Sequence, residues 1–386
     1  MIREISNFLE NIFIENVDPA AEQKATSLFK CIQTVQKTLS LNQYERICQY
    51  IHIHNTEWVN SLRDVHVKKK VSRLALGLAW NARIKELFLK KIAYLDEGAE
   101  HVYYLWQNYT TGELVAVGSP SKYILPHYLP GYKKRVEKVI PLCEKLRDCP
   151  FVTQLQTFFE KECCFKLVQE YGEAGDIYKY MTTHSSPAIL QTLQWAYDLL
   201  RGLVAMARAN IIHRDLKPEN IFLYKGREGE LLRAKIGDFG LAVDLDVQEV
   251  SLVFGGSFAY VFPPLFNFNK LISIAYYTLG KRADVWSLGL IFYIMKDGFA
   301  LPWQESAPEN PSGVSDEYIE GVKRSCEELI HFLKKPYKKF LHKSLPGQKF
   351  DYLVACMLSL DTKKPQVEEC LELFETLFAD EVKTLL

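Results

Sequence analysis

Eight consecutive residues, His213-Arg214-Asp215-Leu216-Lys217-Pro218-Glu219-Asn220, constrain this chain more than any other feature. They place a carboxylate, an ammonium and a carboxamide in one short polar stretch. Asp238-Phe239-Gly240 follows 18 residues after Asn220 and adds a second carboxylate, with a glycine that permits a backbone turn after Phe239. One Asp or Lys in a polar loop is ordinarily a surface residue. This many polar groups at fixed short spacings ask for a fold that converges them. A long amphipathic pattern over 186–209 reads as the helix that delivers the chain into the octapeptide.

The rest of the chain divides by texture. Its 386 residues allow two or three domains with a large core. Residues 1–90 read as helical, with Ile2, Ile5, Phe8, Leu9, Ile12 and Phe13 at helical spacing and Asp18-Pro19 as a helix start. From about residue 91 the pattern turns to strands: Ile92–Leu95, Val102–Trp106 and Leu114–Val117, then Phe151–Leu155 and Phe165–Val168. Formal net charge is zero, which gives no reason to expect nucleic acid or an anionic membrane as partner. The nine cysteines show no CxxC spacing, and Cys163-Cys164 sit in an apolar run. Buried thiols in a reducing, cytoplasmic-type compartment are expected. The N-terminus is a poor signal peptide, and no segment approaches 18 uninterrupted apolar residues, so no membrane span is expected. Export by a specialised secretion system is not readable from these residues.

The octapeptide and the Asp238-Phe239-Gly240 segment resemble the catalytic loop and magnesium-binding segment of eukaryotic-type Ser/Thr protein kinases. The resemblance covers about 91–380. Asp284-Val285-Trp286-Ser287-Leu288-Gly289 is similar to the large buried helix of that family's C-lobe. Gly112-Glu113-Leu114-Val115-Ala116-Val117 is similar to its third strand. The fold implied is α+β and bilobal, with a β-rich N-lobe (91–170), an α-helical C-lobe (171–386) and an all-α extension (1–90). The activity implied is transfer of the γ-phosphate of ATP, with Mg²⁺ or Mn²⁺, to Ser or Thr hydroxyls of a protein substrate. Asp215 would accept the hydroxyl proton, Lys217 would lie near the transferred phosphate, and Asn220 and Asp238 would hold the metal. Glu170 and Tyr171 fall in the linker that binds the adenine edge, with Gln169 as gatekeeper and Asp176 near the ribose. Ala116, Phe222 and Val102 are candidate walls around the base, and Gly98 belongs to the phosphate-covering loop. Ser257 takes the place of the residue that bonds the catalytic Asp and Lys. Arg214 would pair with phosphorylated Ser251, or Asp244, Asp246 and Glu249 would supply fixed negative charge instead.

The pattern also breaks. Gly118 stands where the third strand should run into a lysine that contacts the α- and β-phosphates. Lys122, Lys91, Lys133, Lys134 and Arg135 are the cations that could replace it. Lys122 lies about 13 Å further along a regular strand. That lysine's glutamate partner is unclear: register offers Val139 or Ile140, and Glu137 or Glu144 would need a shift. Pro141 would interrupt the same helix. The loop Asp96-Glu97-Gly98-Ala99-Glu100-His101 keeps one glycine and carries acids that repel phosphate. Pro264 and Lys364 replace both ends of a family ion pair, which points to a rearranged contact there. Two functions follow: a divergent active kinase, or a pseudokinase scaffold that binds a partner. The helical region 1–90 would either brace the N-lobe or dock a protein partner.

Overall fold

The computed structural model describes residues 89–385, apart from the segments 98–100, 109–112, 122–128, 162–163, 227–229, 248–256, 266–272, 299–300, 304–314 and 335–344 and residue 364. The helical region 1–90 therefore lies, but for its last two residues, outside the described residues, as do Gly98, Lys122, Glu249, Ser251 and Lys364.

The chain forms two compact units. The first holds a five-stranded sheet in the order β1-β2-β3-β5-β4, in which β1, β2, β3 and β5 pair antiparallel. Its strands are β1 (Leu89–Glu97), β2 (His101–Asn108), β3 (Leu114–Pro120), β4 (Leu155–Lys161) and β5 (Cys164–Glu170). Alternation explains one face: Trp106, Val115, Val117 and Val168 form a buried cluster with Tyr104 packed against it. Register places Tyr103 opposite Gly118, Leu105 opposite Ala116, and Ala116 opposite Gln169, all on the other face.

The second unit runs from Lys134 to Leu155 and from Tyr171 onward. The helix α1 (Leu129–Lys145) continues through Pro141, contrary to the expected interruption. Glu137, four residues before Pro141, and Pro141 itself are both exposed, so the carbonyl left without its donor faces water. After α1, the stretch Phe151–Leu155, expected as a strand, is irregular until its last residue. Its backbone is spent elsewhere: Phe151 O accepts from Ile236 N at 3.0 Å and Thr153 N donates to Ile236 O at 2.8 Å. The strand proper begins at Leu155.

The short helix α2 (Ile177–Thr183) precedes α3 (Ile189–Arg208), whose buried face includes Leu193, Trp195, Leu199 and Leu203. Two small two-stranded sheets follow: β6 (Ile211–Ile212) pairs β9 (Val243–Asp244), and β7 (Ile221–Tyr224) pairs β8 (Arg233–Ile236). The centre of the unit is α4 (Ser273–Asp297), along which Val285, Trp286, Leu288, Leu290, Ile291 and Phe292 are almost wholly buried. A helix apolar on every side belongs inside a core, not on a surface. Four more helices complete the described part of the unit: α5 (Asp316–Lys334), α6 (Pro346–Met357), α7 (Val367–Leu377) and α8 (Ala379–Leu385). Among the described residues no helix is long and apolar enough to cross a membrane. Burial pushes the thiols of Cys143, Cys326 and Cys370 up to about 12, which leaves them inert as nucleophiles.

Candidate active site

The octapeptide is held from below by one carboxylate. Asp284 on α4 accepts the backbone N–H of His213 at 2.7 Å and of Arg214 at 2.9 Å. Asp284 is buried, and desolvation pushes its carboxyl above the ordinary range while the two N–H groups and the Arg214 charge oppose the shift. The clamp lets Arg214 adopt a left-handed backbone, φ 71°, which a non-glycine residue takes only under constraint. The His213 ring is also fully used. Its Nδ1 accepts the Asp215 N–H at 3.3 Å, so its Nε2 carries the proton and donates to Gly237 O at 2.9 Å.

This scaffold presents Asp215, Lys217 and Asn220 together. Asp215 Oδ1 accepts from Ser257 N at 2.9 Å and Ser257 Oγ at 3.2 Å. Asp215 Oδ2 lies 3.3 Å from Lys217 Nζ and accepts from Asn220 Nδ2 at 3.2 Å. Lys217 Nζ donates to Ser257 Oγ at 3.1 Å. Ser257 thus joins the carboxylate to the ammonium, in the role its sequence position implies. Its own segment is pinned to α4 through Ser287 Oγ, which donates to Tyr260 O at 2.8 Å. Trp303 Nε1 adds a second hold by donating to Ala259 O at 2.9 Å.

The donor set suits a hard cation. Asn220 spends its Nδ2 on Asp215 O at 2.8 Å, which fixes the amide with Oδ1 as its remaining ligand atom. Asp238, also left-handed with φ 59°, is exposed and uses Oδ1 to accept Gly240 N at 3.2 Å. One amide oxygen and one carboxylate are the few protein ligands that Mg²⁺ takes when substrate phosphates and water supply the rest. No cluster of three or more His, Cys, Asp or Glu fit for a metal occurs among the described residues.

The other expected site residues are placed as follows. Ala116 lies on β3 opposite Gln169, and Glu170 ends β5 opposite Val115. Tyr171 is half-buried in the second unit. Asp176 caps α2, its Oδ1 accepting Lys179 N at 2.7 Å, and bridges to Phe222 on β7. Phe222 packs against Gly172 and Gly237. Val102 is a correction: register puts it opposite Ser119, on the face away from Ala116, so the two cannot wall one site. Lys91 is another, since its Nζ sits 3.0 Å from the centroid of Tyr104, again on the face away from Gly118. Glu144 is engaged by Arg147 and held below the usual carboxylate range by that bond. At the end of β1, Glu97 Oε1 accepts from Ser121 Oγ at 2.9 Å.

Two functional supports escape sequence reasoning. Lys145, the last residue of α1, grips the segment after Asp238-Phe239-Gly240: its Nζ lies 2.7 Å from Asp244 and 3.0 Å from Asp246. Asp246 also accepts from Asn210 Nδ2 at 3.0 Å. Two of the three carboxylates considered as fixed charge, Asp244 and Asp246, are thus bound to a lysine. The second support is Arg282, a fully buried guanidinium on α4. Its nitrogens donate to the carbonyls of Met357 at 2.7 Å, Asp361 at 3.1 Å and Ser359, at and beyond the C-terminus of α6. It lies 4.9 Å from the Phe262 ring centroid, and desolvation lowers it to about 10. A cation suits the negative end of a helix dipole. Arg282 is a buried cation in the region where Pro264 leaves no carboxylate.

The protein kinase domain family matches residues 95–373, a span containing Asp215, Lys217, Asn220, Asp238 and Asp284. The chain is 32% identical over 170 residues to the serine/threonine-protein kinase atg1 of Dictyostelium discoideum, covering 43% of this chain and 24% of that protein. It is 28% identical over 194 residues to the meiosis-specific serine/threonine-protein kinase mek1 of Schizosaccharomyces pombe, covering 49% and 43%. It is 27% identical over 251 residues to myosin light chain kinase A of Dictyostelium discoideum, covering 65% and 79%. The chain therefore spans less than half the length of the first two of these relatives.

Proposed function

This chain belongs to the protein kinase domain family, and from that premise we propose that it is a Ser/Thr protein kinase. In this reading it transfers the γ-phosphate of ATP to hydroxyls of a protein substrate. The kinase domain would span 91–386, preceded by a helical region at 1–90 that braces it or docks a protein partner. The observation that carries the reading is the bonded set Asp215–Ser257–Lys217–Asn220. Asp215 holds the hydroxyl and takes its proton, and the Ser257 bonds keep the carboxylate aimed. Lys217 offers positive charge beside the same carboxylate. Asn220 Oδ1 and Asp238 would hold Mg²⁺ or Mn²⁺, which when bound neutralises the phosphates. Ala116, Glu170, Tyr171, Asp176 and Phe222 would line the nucleotide site, with Gly98 in its covering loop.

Gly118 favours a second reading, a pseudokinase that binds a partner and transfers little. A radiolabelled ATP transfer assay on a generic protein substrate decides between them. Transfer by wild type that drops about 10²–10⁴-fold in Asp215→Ala, and is lost in Asp238→Ala, is expected. Equal incorporation by all three proteins, with Mg²⁺ and with Mn²⁺, would remove the kinase reading.

A further inference from the structure

Gly118 removes a side chain from the middle of a paired strand, and register identifies what fills the space. Tyr103 on β2 stands directly opposite. Its ring leans across the glycine: a Cβ on Gly118 would lie 2.7 Å from Tyr103 Cε1, 3.1 Å from Cζ and 3.3 Å from Cδ1. No side chain can leave position 118 unless that ring swings away. The ring is accompanied by His101, two residues back on the same face, with centroids 5.7 Å apart.

The two lysines of this sheet whose side chains are described do not compensate. Lys91 Nζ lies over Tyr104 and Lys166 Nζ is 5.6 Å from the Trp106 centroid, both on the opposite face. By backbone register alone, Lys90 stands opposite Gln107, four residues along β2 from Tyr103, about 13 Å on a regular strand. On the face of Gly118, β2, β3 and β5 present Tyr103, Leu105, Ala116, Leu167 and Gln169, with no lysine or arginine among these described residues.

We propose that Tyr103 occupies the place of the missing phosphate-contacting lysine, so that this sheet meets a nucleotide with an aromatic, cation-poor surface. The ligand class that fits is a nucleoside triphosphate already complexed with a divalent metal, because the described residues of β2, β3 and β5 around Tyr103 on that face include no lysine or arginine to offset bare phosphate charge. The ligand class rests on the kinase reading, whereas the packing of Tyr103 on Gly118 does not.

The test separates the two. Melting temperature is followed for wild type, Gly118→Lys, Tyr103→Val and the double variant, with ATP in Mg²⁺ and with ATP in EDTA. Wild type is expected to shift with ATP only in Mg²⁺. The double variant is expected to gain at least tenfold in ATP affinity in EDTA, and Gly118→Lys alone to gain nothing. Wild type that binds ATP equally well without metal, a single Gly118→Lys equal to the double, or no gain in the double overturns the proposal. The packing is read without any ligand. Gly118→Ala should lower the melting temperature by several degrees in wild type and scarcely at all in Tyr103→Val. Additive effects overturn the proposal even if phosphate transfer is found, and a strong coupling upholds the packing even if the transfer assay fails.

Discussion

The octapeptide loop and the sheet around Gly118 solve opposite problems. In the loop, charge is kept and every group that aims it is answered: Asp284 takes two backbone N–H groups, His213 bonds through both ring nitrogens, and Asp215 accepts through both oxygens. In the sheet, a charge has been given up and its room taken by a ring. Polar networks in a low-dielectric setting lose far more from one missing partner than packed aromatic surfaces do, because the orphaned group cannot return to water. The two regions should therefore respond very differently to substitution.

Asp284→Ala is the most severe break in the first region. It strands the N–H groups of His213 and Arg214 in a buried site, at about 1–3 kcal/mol each, or about 2–6 kcal/mol in all. Urea denaturation of the variant should show that loss, and any phosphate transfer should fall as Arg214 leaves its left-handed conformation. A loss under about 1 kcal/mol would mean that water reaches the loop and that the contrast with the sheet is overdrawn.

Arg282→Met comes next. It removes the donor to three carbonyls while relieving the cost of a buried guanidinium, so its net penalty is smaller, about 1–3 kcal/mol. Because Arg282 also lies on Phe262, in the segment that carries Ser257, the kinase proposal has the same variant raise the KM for protein substrate more than that for ATP. Unchanged kinetics beside lowered stability would confine Arg282 to bracing α6.

Lys145→Met leaves the buried Asp244 carboxylate without its ammonium, at about 1–2 kcal/mol. Its more informative readout is limited proteolysis within the gripped segment, 243–247. Faster cleavage there with the rest of the chain intact is expected. Uniform cleavage would show that the grip stabilises the whole unit instead.

How much of this is readable in the sequence follows the range of each interaction. The octapeptide carries its geometry in short spacings, so Asp215, Lys217 and Asn220 can be named from eight residues, and Ser257 from a motif. Arg282 meets carbonyls 75 to 79 residues away, and Lys145 meets carboxylates 99 and 101 residues away. No local pattern encodes such meetings. Val102 is misplaced by sequence for a different reason: a strand's faces alternate, so an offset of one residue in register moves a side chain to the wrong side. The same offset hides Tyr103, which becomes visible only when β2 and β3 are aligned residue by residue.

Lys91→Met is expected to do least, and for that reason it tests the contrast most cleanly. Lys91 is an exposed residue of an edge strand, with its ammonium 3.0 Å from the Tyr104 centroid. An exposed cation over an aromatic ring contributes on the order of 0.5–1 kcal/mol, and methionine keeps most of the apolar stem that covers the ring. ATP affinity by thermal shift should stay within about twofold of wild type, since the ammonium lies on the face opposite Gly118. A tenfold loss of ATP affinity would show that Lys91 crosses to the nucleotide face when ligand binds. The sheet would then have kept its phosphate-binding charge by moving it from one strand to another, and the ring over Gly118 would be a consequence of that move.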